Sequence, residues 1–174
     1  SESGIIERAK MHLEAGAAIL DVGAMSTRPK AEMITESDEL ERLIPAVKLL
    51  RTTFPEAVIS VDTFRSAIAL AAIEAGAEMI NDISGGTMDE AMFTTIAKLQ
   101  VPYVLMHIQG TPETMQDNPR YNDVTQEIIT DLILKANQLK QLDVHDIIID
   151  PGFGFGKTLE NNLSLLQNLN QFAV

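Results

Sequence analysis

His12–Asp21 reads HLEAGAAILD, and Ala72–Asp82 reads AIEAGAEMIND. Each stretch runs from a helical pattern through Glu-Ala-Gly-Ala into a short apolar run that closes on an acid. Gly16 and Gly76 stand where a helix should stop, just past its C-cap. The echo marks a repeated unit of helix and strand. The apolar runs do not alternate with polar residues, so both faces of the strands should be covered. Strands of this kind, separated by helices, pair in parallel with right-handed crossovers.

The same reading outward from the echo predicts strands at Ala18–Gly23, Val58–Asp62, Glu78–Asp82, Tyr103–His107 and Ile147–Asp150. Helical stripes lie between them. Leu40, Leu43, Ile44, Val47 and Leu50 follow i, i+3, i+4, i+7 spacing behind a Ser37 N-cap, with Pro45 expected to kink the helix. Ile128, Ile129, Leu132, Ile133 and Leu139 form a second stripe, and Leu163, Leu166 and Leu169 a last one. The 174 residues suit one domain spanning 1–174. Two α/β architectures fit, an open doubly wound sheet and a TIM barrel. A barrel closes with eight strands in about 250 residues, so the count of strands alone favours the open sheet.

Composition narrows the setting. A hydrophobic share of 45% and a charged share of 22% place the chain among globular proteins. It has no cysteine, which excludes a disulfide scaffold and a thiolate zinc site and suits a reducing cytoplasm. No apolar run approaches the length needed to cross a bilayer, and Ser1–Lys10 does not read as a signal peptide. The net charge of −12 argues against nucleic acid or anionic lipid as a partner.

Polar residues collect where the strands end: Asp21, Asp62, Asn81 with Asp82, His107 and Asp150. In parallel α/β folds this rim is where ligands bind. Any one of them could instead start a turn or cap a helix, and Asp21 and Asp82 are the two most readily given to structure. Ser26-Thr27-Arg28-Pro29 offers hydroxyls and a guanidinium fork suited to a carboxylate. Asp150–Thr158 reads DPGFGFGKT. Its glycines allow close backbone approach, but a Walker loop would need glycine at 151, where Pro stands. His12, His107 and His145 have no close metal-ligand spacing, so no metal site is read from them; His12 and His145 read as surface residues. Met106, beside His107, is the methionine best placed to line a pocket.

Asp21-Val22-Gly23 with Ser26–Pro29, then Ser60–Thr63, Ile80–Gly86, Met106–Pro112 and Asp150–Lys157 resemble dihydropteroate synthase in order and spacing. Ala24-Met25 and Lys30 depart from the family pattern, all within one loop. The resemblance implies an incomplete (β/α)8 TIM barrel that begins after the family's first strand and stops before its seventh. It implies condensation of 6-hydroxymethyl-7,8-dihydropterin pyrophosphate with p-aminobenzoate, sulfonamides as inhibitors, and a homodimer. By carry-over Asp62, Asn81 and Asp150 are the catalytic, pterin-holding set. Thr27, Arg28, Pro29, Met106, Phe155 and Lys157 would bind substrate. Mg2+ is the implied cofactor, its usual ligand lying outside this chain. The alternatives are a methyltetrahydrofolate-binding methyltransferase and a catalytically silent pterin-binding module.

Overall fold

The computed structural model describes residues 1–25 and 33–173. Five strands, β1 (Ile19–Val22), β2 (Val58–Asp62), β3 (Met79–Asp82), β4 (Tyr103–Met106) and β5 (Ile147–Asp150), form one parallel sheet in the order β1-β2-β3-β4-β5. Each lies beside its predecessor, as in a barrel wall. A doubly wound sheet would reverse direction at a switch point, so the open-sheet alternative is set aside.

The helices are α1 (Glu2–Glu14), α2 (Glu36–Thr53), α3 (Ser66–Glu74), α4 (Met92–Leu99), α5 (Val124–Gln141) and α6 (Leu159–Gln167), with a last 3-10 turn at Leu169–Phe172. Alternation along the strands sends Leu20, Ile59, Val61, Ile80, Tyr103 and Leu105 to the helix side. There they meet Leu43, Val47 and Leu50 of α2, Ile68 and Ala72 of α3, Ile96 of α4, and Ile128, Leu132 and Leu139 of α5. Burying one such aliphatic side chain contributes roughly 1.5–3 kcal/mol.

Two sequence expectations about the helices change. The α2 N-cap is Thr35, not Ser37: the Thr35 hydroxyl accepts from the Asp38 amide at 3.1 Å. Ser37 already lies inside the first turn. Pro45 lies inside the helix, which continues to Thr53. The Leu163, Leu166 and Leu169 stripe does not pack on the core, since all three are exposed and Leu165 is the buried anchor of α6. Their spacing is helical, but the face they share points away from the sheet. β1 is a residue shorter at each end than expected, β3 starts a residue later and β4 stops a residue earlier.

Candidate active site

Alternation puts the residues between the core positions on the other face of the sheet. Those residues are Asp21, Ser60, Asp62, Asn81, Val104, Met106 and Asp150. Register aligns them across strands: Asp21 with Ser60, Asp62 with Asn81, Asn81 with Val104, and Met106 with Asp150. Asp62, Asn81 and Asp150, the three residues expected to act on the pterin, therefore share one face at the C-terminal ends of their strands. Met106 shares it too.

Asp21, one of the two rim acids most readily given to structure, lies on the same face. The Asn81 side-chain amide reaches across β2 and donates to Asp21 Oδ2 at 3.0 Å. Asp62 lies between the two. Burial, and then the charges of Asp21, Asp82 and Glu39, raise its carboxyl from an ordinary 3.8 to about 7. Low dielectric and like charge both penalise the ionised form. Near neutral pH Asp62 can thus either donate or accept a proton.

Asp82 is structural, as expected. It is fully buried on the opposite face, where one oxygen accepts from the Ser84 amide and hydroxyl, and the other from the Gly86 amide and the Tyr103 hydroxyl, at 2.6 to 2.8 Å. It fixes the turn after β3 and leaves Asn81 facing the site.

On the far flank, Asp150 accepts from the Gly152 amide at 2.7 Å. Gly152 has φ +71°, and a Cβ there would fall on the His107 carbonyl, so only glycine fits. Phe155 packs beside Ile83, Met106, Ile108 and Met115 in a satellite apolar cluster. Lys157 turns inward. Its ammonium meets His107 Nδ1 at 3.1 Å and the Phe155 carbonyl at 2.8 Å. His107 is itself buried, and burial with the Lys157 charge lowers it to about 4, so its ring is neutral at pH 7. His12 and His145 are exposed, as expected. Thr27, Arg28 and Pro29 lie outside the described residues.

One cluster was not anticipated. Glu39, in the first turn of α2, is buried and accepts from the Thr63 hydroxyl at 2.8 Å and from the Arg65 guanidinium. Arg65 also donates to the Ile34 carbonyl at 2.8 Å. These bonds tie the segment before α2 to the loop that follows Asp62. A signal was present: Glu39, Leu43, Ala46 and Leu50 lie on one helical face, so an acid interrupts an apolar stripe.

A comparison with protein families matches residues 1–174 to the family described as pterin binding enzyme. The chain belongs to that family. Its relatives carry a more specific name. It is 44% identical over 174 residues to the folic acid synthesis protein fol1 of Schizosaccharomyces pombe, covering 98% of this chain and 24% of that protein. It superposes on the Yersinia pestis dihydropteroate synthase solved with a sulfonamide drug complex, with a TM-score of 0.91 and 36% identity, over 95% of this chain and 60% of that one. The Burkholderia cenocepacia dihydropteroate synthase complexed with 7,8-dihydropteroate gives a TM-score of 0.90 and 36% identity, over 99% and 62%. The chain thus spans about a quarter of the length of its fungal relative and three fifths of these two enzymes. The five-stranded sheet is an incomplete (β/α)8 barrel.

Proposed function

We propose that this chain supplies the pterin-binding arc of a dihydropteroate synthase. The reaction would join 6-hydroxymethyl-7,8-dihydropterin pyrophosphate to p-aminobenzoate, giving 7,8-dihydropteroate and pyrophosphate. The observation that carries this reading is the shared face of Asp62, Asn81 and Asp150 at the strand ends. Family membership and the names of the matched proteins support it.

A pterin presents adjacent N–H donors on its 2-amino-4-oxo edge, and a carboxylate accepts such a pair. Asp150 is assigned that edge. Asn81 offers both a donor and an acceptor, which suits the mixed edge of the ring. Asp62, with its proton held near neutrality, would hold another ring nitrogen. Met106 would pack on the ring and Phe155 would line the neighbouring arylamine region. The C–O bond to pyrophosphate breaks with its electron pair leaving on the phosphate. The methylene left behind is cationic and conjugated to the pterin, and the rim carboxylates favour that charge. The arylamine lone pair then forms the C–N bond, and the nitrogen releases a proton. Thr27, Arg28 and Pro29 would help order p-aminobenzoate.

Among the described residues no three His, Cys, Asp or Glu side chains are grouped to hold a metal ion. One Asp21 oxygen is taken by Asn81. These residues do not make a magnesium site, and no step of the reaction as proposed runs through one. No helix among the described residues is long and apolar enough to cross a membrane. A cytoplasmic homodimer completes the proposal, supported by the absence of cysteine and by the exposed Leu159, Leu163 and Leu166 on α6.

The test is product analysis with the complete enzyme that carries this arc, both substrates and magnesium supplied. Dihydropteroate should form, and Asn81→Ala should abolish it. Absence of dihydropteroate with the unaltered complete enzyme would overturn the reading.

A further inference from the structure

The loops that follow β4 and β5 are joined to each other by side chains. The Tyr121 hydroxyl donates to the Gly156 carbonyl at 2.8 Å, and the Gln116 amide donates to the Gly154 carbonyl at 2.6 Å. Gly156 sits so close to the first loop that a Cβ there would lie 2.6 Å from the Gln109 carbonyl oxygen.

Lys157 lies at the centre of this seam, 3% exposed. Three acceptors surround its ammonium: the Phe155 carbonyl at 2.8 Å, His107 Nδ1 at 3.1 Å and the His107 carbonyl at 3.2 Å. An ammonium has three N–H donors and no acceptor. Its capacity is therefore spent within the protein, with no donor left for a ligand. Its location agrees. His107 continues the helix-side series of Tyr103 and Leu105, whereas Met106 and Asp150 face the site. A buried cation is costly unless fully paired, and this one is paired with the two loops that carry Met115, Phe155 and Gly152.

We propose that Lys157 is a positioning residue for the second substrate: its ammonium locks the 152–156 loop onto the end of β4 and so fixes Phe155 beside the arylamine, without touching either substrate. The inference rests on the proposed synthase reading for its substrate and on the geometry alone for its tether.

The experiment compares Lys157→Met and Lys157→Arg with the unaltered full chain. Amide hydrogen exchange over residues 108–122 and 152–157, measured without substrate, should quicken about tenfold or more in the methionine variant as local opening becomes easier. Lys157→Arg, which keeps the charge and the donors, should recover part of the protection. In steady-state kinetics Lys157→Met should raise KM for the arylamine about tenfold, with pterin affinity changed less than about threefold. The loss should be equal for p-aminobenzoate and for uncharged p-aminobenzamide. A loss confined to the carboxylate-bearing substrate would mean that Lys157 binds it directly, and would overturn the proposal. Unchanged exchange in Lys157→Met would overturn it as well. If that variant does not fold, Lys157→Gln carries the same comparison. A complete unaltered enzyme that makes no dihydropteroate sinks the synthase reading, while the exchange measurement still decides the tether.

Discussion

The two flanks of the rim are built on opposite principles. On the β1–β3 flank, Asp21, Asp62 and Asn81 stand close together, and Asp62 keeps a proton to about pH 7. On the β4–β5 flank the buried ionisable groups are the bases Lys157 and His107. Burial pushes the Lys157 ammonium down to about 7, with the Asp150 carboxylate opposing that shift. The first flank gathers its polar side chains on the rim face of the sheet. The second spends the Lys157 donors on holding two loops together. Charge placed for chemistry and charge placed for rigidity are distinguished by where their hydrogen bonds end.

The largest effect should come from removing the anchor behind the first flank. Asp82→Ala orphans the Ser84 and Gly86 amides and the Ser84 and Tyr103 hydroxyls. We expect a loss of about 3–5 kcal/mol in urea denaturation. A loss below about 1 kcal/mol would break the assignment of Asp82 to scaffold and Asn81 to site.

Next comes the opposite pH response of the flanks. Asp62 binds its proton more tightly folded than unfolded. Its contribution to stability is therefore full below pH 4 and is lost as pH rises to about 7. Lys157 binds its proton less tightly folded, so its contribution is full above pH 10.5 and is lost as pH falls to about 7. Asp62→Asn should flatten the acid limb alone, with a gain on the order of 2–4 kcal/mol at pH 8. Lys157→Met should flatten the alkaline limb. Denaturation curves measured from pH 4 to 10 check both signs, and a common slope for the two variants would end the distinction between the flanks.

Asp150→Asn tests the ligand-facing side of the second flank. On the proposed reading an amide donor would meet a pterin N–H donor, costing about 1–3 kcal/mol. Pterin affinity measured by calorimetry should fall about tenfold to a hundredfold. The smallest effect is Tyr121→Phe, which removes one bond of the seam. It should cost about 0.5–1.5 kcal/mol, read as a lower melting temperature, and should leave pterin affinity unchanged.

Much of this was legible in the sequence, for physical reasons. Apolar runs closing on a polar residue show a buried parallel strand and its rim, and all five strands fall where those runs predict. The shared face of Asp62, Asn81 and Asp150 was legible only through family likeness, because facing depends on where each strand starts. The role of Asp21 was not legible, since its partner Asn81 lies 60 residues away and the bond depends on three strands in register. The inward turn of Lys157 was hidden for a similar reason: sequence shows a charge after glycines, while its direction is set by His107, 50 residues earlier. The Leu163–Leu169 stripe misled because helical spacing marks an apolar face without saying what covers it.

The neighbouring pair Asn81-Asp82 carries a lesson about heritable change. One residue faces the site and the next is sealed in the scaffold, with a single peptide bond between the two roles. Inserting or deleting one residue within β3 would exchange them, sending the carboxylate to the ligand and the amide into a pocket shaped for four donors. Substitutions can explore this strand one position at a time, but changes in its length cannot, because they alter recognition and folding in the same step. A lineage carrying this rim is expected to vary its loops in length while leaving β3 at a fixed number of residues. A scan of single-codon deletions should show that boundary as an abrupt loss of soluble protein between Met79 and Asp82.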